Sequence, residues 1–481
     1  MANEPGPDRQ DQNRAEQIGS PGRKRWESDI RILTAILCSI TICFGLSSPA
    51  HAQSLTEVLT HAYESNPRIL AARQALLVVN EQFPQAVANW LPTVSTAMSA
   101  DRALSSSRTA TDSNSRTDTY KNTLSYSQTL FDGGRNFARL DRSIASVRSQ
   151  QQTLRLTEQG VLLDVVRAYM NVIRDRRTLA AREANRTLLE QQFDSTLVQF
   201  DLQQRTIADL SQAQARLSAA EATVIAAVNS LATSEEQYLE LTGLEPGTLV
   251  APAVPGDLPV DLEETVVMAE TFQPAVDIAK YAVELAEHDA AIENRSRLPT
   301  VALGASLTHQ RSKEAGGDVS TDQRDVSASV TLTIPLYQSG AELSRVRAAR
   351  TLVGQRRTEL DDARRTARSN AVTAWRTHVS ATGQIDSLAE AARAAETARD
   401  GIARELGVGR RSVIDLLDAE AELLTAQVNL AVGERNALVA AFEVLNAMGL
   451  LTAEELELPT RIYDPAVDFD RTKWKLYSTE D

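Results

Sequence analysis

Val326-Ser327-Ala328-Ser329-Val330-Thr331-Leu332-Thr333-Ile334 alternates apolar and hydroxyl-bearing side chains without a break. Successive side chains of a strand point to opposite faces, so this stretch has one apolar side and one polar side. Val301, Leu303, Ala305 and Leu307 alternate in the same way with Ala302, Gly304, Ser306 and Thr308. Two weaker runs lie far upstream. Val94, Met98 and Ala100 alternate with Thr93, Ser95, Ala97 and Ser99, and Tyr120, Leu124, Tyr126 and Leu130 with Lys121, Thr123, Ser125, Ser127 and Thr129. Each run reads as a strand of about 10 residues, long enough to cross a tilted bilayer path, with Leu332 near mid-strand on the lipid side. Residues 105–118 and 312–324, rich in Ser, Thr, Asp, Arg and Gly, read as exposed hairpin tips.

The strands come in two pairs because the chain repeats itself. Trp90-Leu91-Pro92-Thr93-Val94 returns as Arg297-Leu298-Pro299-Thr300-Val301, and Thr129-Leu130-Phe131-Asp132-Gly133-Gly134 as Pro335-Leu336-Tyr337-Gln338-Ser339-Gly340. Thr206-Ile207-Ala208-Asp209-Leu210 returns as Ser412-Val413-Ile414-Asp415-Leu416, and Thr242-Gly243-Leu244 as Met448-Gly449-Leu450. One supersecondary unit has been duplicated. Residues 53–242 form the first copy, 243–260 a linker with prolines at 246, 252, 255 and 259, 261–449 the second copy, and 450–481 a tail without clear period.

Around the strands the chain is helical. Residues 54–89 read as helix broken at Asn66-Pro67, where proline opens a second segment, and ended at Leu91-Pro92. No proline occurs between Gly134 and Pro246, or between Gly340 and Pro459. Leu210, Leu217, Val224, Leu231 and Tyr238 fall every seven residues, as do Leu416, Leu423, Leu430, Ala437 and Val444. That spacing indicates coiled-coil packing. A helix from 132 to 199, with Asp132 as its cap, is on the order of 100 Å long.

Composition agrees: aromatics are 5% and the formal charge is −14, with no Lys/Arg block after residue 52. Acidic balance argues against a nucleic-acid surface. Residues 1–52 read as a signal peptide, with Arg23, Lys24, Arg25 and Arg31 flanking an apolar run over 32–46 and Ala50-His51-Ala52 as cleavage site. Cys38 and Cys43 both lie in that run, so the mature chain has no thiol chemistry. Its histidines, at 61, 288, 309 and 378, have no ligand spacing, and no phosphate-binding glycine loop occurs. No enzymatic activity and no cofactor are expected.

Four amphipathic strands cannot close a barrel, and open edges are not tolerated in lipid. Other copies must complete the sheet: two chains reach eight strands, three reach twelve with room for a channel.

The doubled order of Asn-Pro helix, Leu-Pro, strand pair, Leu-Phe-Asp-Gly-Gly, long helices, then Ile-Pro-Leu-Tyr-Gln-Ser-Gly and Ile414-Asp415-Leu416-Leu417-Asp418-Ala419-Glu420 resembles the TolC family of outer-membrane channels, over nearly all of residues 54–450. The resemblance implies a membrane α+β fold: a homotrimer with one 12-stranded β-barrel in outer-membrane lipid, continuous with a long periplasmic α-helical barrel. It implies an exit duct for drug efflux or type I secretion, reached through a periplasmic adaptor from an inner-membrane RND or ABC pump. The family's acidic ring at the periplasmic entrance matches Asp415 and Asp418, whose spacing puts them on one helix face. Carboxylates gathered on an axis favour cations and raise one another's pKa. Arg411 and Asp209 fall where the family's closing links lie, while Leu406 stands in place of an aromatic partner. Adaptor-contact residues are not assigned. The rival reading is a periplasmic coiled-coil adaptor or structural protein, which has one helical hairpin rather than two strand-pair copies.

Overall fold

The computed structural model describes residues 53–108, 112–256, 258–314 and 320–475. The expected signal segment and both cysteines lie outside them. The described chain runs α1 (Leu55–Ser65), α2 (Pro67–Asn80), α3 (Gln82–Ala88), β1 (Thr93–Arg108), β2 (Asp112–Phe131), α4 (Arg135–Asp201) and α5 (Ile207–Thr242). The second copy follows as α6 (Leu262–Phe272), α7 (Pro274–Arg295), β3 (Thr300–Glu314), β4 (Ser320–Thr333), α8 (Ala341–Gly407) and α9 (Val413–Met448), with α10 (Pro465–Thr472) in the tail.

The copies match closely. α4 and α8 have 67 residues each, and α5 and α9 have 36 each. At about 1.5 Å per residue the longer pair reach about 100 Å. Asn66 and Gln273 open α2 and α7, and each sends its side-chain amide to carbonyls at the end of a long helix: Asn66 to Leu241 (2.8 Å), Gln273 to Asn446 (3.2 Å). One difference is the kink between α2 and α3. Pro84 has no N–H for the Asn80 carbonyl and its ring crowds that group, whereas Ala291 at the matching place leaves α7 continuous. Asp132 does not cap α4. Gly134, at φ +80°, takes the cap position after a glycine turn, and the buried Asp132 carboxylate instead lies 3.8 Å from Arg139 and 4.0 Å from Arg135.

The largest core gathers α1 and the middle of α4 with the ends of α5 and α9, around Tyr169, Tyr238, Leu162, Phe442 and Met448. Burial pushes the Tyr169 and Tyr238 hydroxyls up to about 12. Tyr169 Oη lies 2.8 Å from the Gln53 carbonyl and 2.6 Å from that of Val250. Gln53 also bridges to Leu249 in a parallel pair, so the proline-rich segment is bound to the start of the described chain rather than hanging free.

The sheet has the order β1-β2-β3-β4, all antiparallel. Its register aligns the apolar positions of every strand. Val94 faces Tyr126, which faces Ala305, which faces Ala328; Leu124 faces Leu307, which faces Val326. A bulge at Leu130 shifts the phase of β2, so Phe131 rather than Leu130 joins Val301 and Leu332 in the apolar row. No helix among the described residues is long and apolar enough to cross a membrane. The apolar sheet face is exposed in the single chain, with Val94, Met98, Val326 and Val330 each more than 60% accessible.

Two expectations need correction. The strands have 16, 20, 15 and 14 residues, well beyond ten, and they absorb much of 105–118 and 312–324. Backbone pairing continues in water, whereas side-chain alternation reports only the part that meets lipid. Leu332 is also not central: it is the penultimate residue of β4, and Val330 is the middle of Val326, Ala328, Val330, Leu332 and Ile334.

Candidate functional site at the helix tips

The two helical hairpins turn by one device. In copy two Gly409 takes φ +76° and the Arg410 N–H donates to the Glu405 carbonyl (2.9 Å). In copy one Gln203 takes φ +61° and the Gln204 N–H donates to the Gln199 carbonyl (2.8 Å). This is the six-to-one closure that glycine normally serves. A side chain there costs about 1–2 kcal/mol. Gln203→Gly is therefore expected to stabilise the first tip by up to about 1 kcal/mol, seen as slower amide exchange over 199–206; unchanged exchange would show Gln203 to be unstrained.

Each turn is then stitched from outside. Arg205 Nε donates to Gln199 Oε1 (3.0 Å), and Arg411 Nε donates to Glu405 Oε2 (2.8 Å), at matching positions of the repeat. Next come two capping boxes. The Asp209 N–H donates to the Thr206 hydroxyl (3.2 Å) while the Asp209 carboxylate accepts the Thr206 N–H (3.0 Å). Asp415 and Ser412 do the same at 3.2 and 2.9 Å. The Ser412 N–H and hydroxyl, with the Arg411 charge, hold the Asp415 carboxyl below its usual range; the Thr206 groups and the Arg205 charge do so for Asp209. Within one chain the shift is thus opposite to the raised pKa expected from crowding.

The proposed site residues are therefore divided among local partners. Arg411 and Asp209 do not pair within the chain, because Glu405 and Thr206 lie six and three residues away, where closing the contact costs little chain entropy. Asp415 and Asp418 leave the same helix but part company: Asp415 folds back on Ser412, and Asp418 accepts from Arg216 of α5 (3.0 Å). Leu417 explains that second contact. It packs with Leu189, Leu217 and Ala220, which sets its neighbour Asp418 beside Arg216. Sequence reasoning missed Arg216 and Glu405. The repeat could have found Glu405, since Gln199 stands at the equivalent place; nothing local points to Arg216.

The rest of the site is the wall itself. β1 and β4 leave an unpaired edge on each side of a four-stranded sheet, and both ends of each hairpin lead directly into helices. This is a segment of a larger barrel continued by long helices, twice over, and not the single helical hairpin of an adaptor.

Known proteins agree with this geometry. Residues 58–244 and 267–450 match the family described as Outer membrane efflux protein, one segment for each copy. The chain is 28% identical over 446 residues to outer membrane efflux protein BepC of Brucella suis biovar 1, covering 93% of this chain and 96% of that protein. It is 23% identical over 436 residues to the outer membrane protein TolC of Vibrio cholerae, covering 85% and 94%. Its fold superposes on the Campylobacter jejuni CmeC outer membrane channel with a TM-score of 0.72 at 16% identity, covering 88% of this chain and 90% of that one. Channels of this kind are homotrimers that work with adaptors and inner-membrane pumps. The chain belongs to the outer membrane efflux protein family, passive channels whose β-barrel crosses the outer membrane and whose helices extend into the periplasm.

Proposed function

We propose that three copies of this chain form one exit duct that docks through its helix tips on a periplasmic adaptor, itself served by an RND or ABC pump of the inner membrane. The observation that carries this is the pair of open sheet edges, β1 and β4, joined at one end to two helical hairpins of equal length. In lipid those edges demand partners, and partners around an axis bring the tips together. A photo-reactive residue at Val408 is expected to cross-link an adaptor in intact cells; a lack of adducts would move the docking surface away from the tips.

In this duct Asp415 and Asp418 ring the periplasmic constriction. Arg411 of one copy helps close it against Asp209 of the next. Arg216 offsets part of the Asp418 charge, so Asp415 carries more of the cation preference. Asparagine is the better probe than alanine, because it keeps an acceptor for Ser412 and preserves the cap. The double variant Asp415→Asn/Asp418→Asn is expected to lose cation preference and multivalent-cation block in planar bilayers, with Asp415→Asn giving the larger share. Wild-type selectivity in the double variant would put the constriction elsewhere. Arg411→Ser is expected to raise conductance. Glu405→Ala, which removes the acceptor for Arg411, separates the two ways Arg411 could act: if Arg411 closes the duct through Asp209, Glu405→Ala leaves conductance low; if it acts only as a turn stitch, Glu405→Ala copies Arg411→Ser.

A further inference from the structure

The lipid-facing side of the sheet changes character above Leu307 and Val326. The next rung away from the helices holds Asn122, His309 and Arg324, all on the same face as the apolar rows. The following rungs place Tyr120, Arg311 and Asp322, then Arg102, Asp118 and Lys313, on that face, with Arg116 beyond. Five Arg and Lys side chains thus stand against two carboxylates, in a chain whose formal charge is −14.

Each carboxylate already has a local hydrogen-bonding partner. Asp118 takes Arg102 (2.6 Å) and Arg116 (3.4 Å), and Asp322 takes His309 (2.7 Å). Arg311, Lys313 and Arg324 have no acidic partner among the described residues. An adjoining copy does not supply one from its β1 edge, because the residues of β1 on this face from Val94 to Leu104 include no Asp or Glu. Beside Arg311 lies a hollow of about 530 Å³, lined on this face by Met98, Ala100, Tyr120, Asn122 and His309. An apolar wall therefore runs directly into a group of cations that have no acidic partner among the described residues, where the apolar band ends. This end carries the hairpins and lies opposite the helices, so it belongs to the leaflet facing away from the periplasm.

We propose that this belt is a binding site for a phosphate-bearing lipid of the outer leaflet. Arg311 and Arg324 grip the phosphate through paired N–H donors, Lys313 adds a point charge, and an acyl chain lies against Met98 and Tyr120 in the hollow. A surface meant only to meet water or zwitterionic lipid has no need of uncompensated cations on three successive rungs at the apolar edge.

The test uses the detergent-extracted full-length trimer and a fluorescent acylated glucosamine disaccharide with two phosphates (lipid A), its phosphate-free form, and inorganic phosphate as competitor. The phosphorylated lipid is expected to bind at least about tenfold more tightly than the phosphate-free lipid, and to weaken as salt rises. Arg311→Gln/Arg324→Gln is expected to lose about tenfold, while Arg347→Gln, exposed on helix α8 away from the sheet, leaves binding unchanged. Equal binding of the two lipids, salt-independent binding, or full affinity in the double variant would each overturn the proposal. Displacement by inorganic phosphate at concentrations equal to the lipid would make this a simple anion site and would also overturn it. Heat-modifiable migration on gels checks that the variants still assemble. If the double variant does not, the wild-type salt titration and Lys313→Gln, expected to bind several-fold less tightly, decide the matter.

Discussion

Val330→Lys is expected to destabilise the assembled barrel by about 2–4 kcal/mol, the range for a lysine facing lipid at the bilayer midplane. Val330 is the third of five alternating apolar residues, faces Leu303 across the ladder, and is 67% exposed in the single chain. Ile334, one residue past the end of β4, is eight steps from Val326, about 26 Å at about 3.3 Å per step, and about 20 Å across the membrane after tilting by about 40°. Val330 therefore sits where a lysine cannot easily reach either surface. Leu332→Lys, nearer the helix end, should cost less because its amine can extend to the interface. Thr331→Lys points into the aqueous interior and should be nearly neutral. The measurement is trimer melting in denaturant after reconstitution, compared across the three variants. Equal destabilisation by Val330→Lys and Thr331→Lys would sink the assignment of lipid and channel faces.

The second large effect is expected at the end of α9. Gly449 has φ +82°, and a Cβ placed there would lie 2.3 Å from the Phe272 carbonyl oxygen and 2.9 Å from the Gln273 Cα. Both obstacles are backbone, fixed by the Gln273 side chain bonding to Asn446 and Ala447. Gln159 adds a further tie, donating to the Gly449 carbonyl (2.6 Å). Gly449→Ala is expected to cost about 2–4 kcal/mol, combining left-handed strain with overpacking. Gly243→Ala, at the same place in copy one, should cost only about 1 kcal/mol, since its φ is +70° but nothing lies within 4 Å. Chemical denaturation of the two variants checks this. Similar losses would mean that the Phe272 contact gives way easily.

These two pairs also show where reading the chain by itself succeeds. The repeat, the amphipathic strands, the length of the helices and the need for other chains all rest on order and periodicity. Such features survive in one dimension because a strand's period of two and a helix's period of 3.6 are local consequences of backbone geometry. The same logic makes Thr206 and Ser412 helix starts: each precedes an aspartate three residues on, and the capping box closes within four residues.

Contacts between distant segments were legible only in three dimensions. Asp418 meets Arg216 across 202 residues because Leu417 chooses a packing partner on α5, and no periodicity encodes that choice. The tail had no readable pattern, yet Phe469 and Trp474 stack edge-on against Phe83 at 5.5 and 6.2 Å, and the Tyr463 N–H donates to the Tyr63 hydroxyl (3.0 Å). The strands extend beyond their alternating runs, and the sequence does not show those ends because backbone pairing in water leaves no hydrophobic trace. The sequence by itself therefore determined the architecture and the membrane-facing strands, since both follow from local periods and from the cost of unpaired backbone in lipid. The tertiary structure decided which partners the charges at the tips take, which residues of the four strands share a rung, and which cations at the outer edge lack an acidic partner among the described residues. Those depend on register and on packing between segments hundreds of residues apart, which side-chain order alone does not specify.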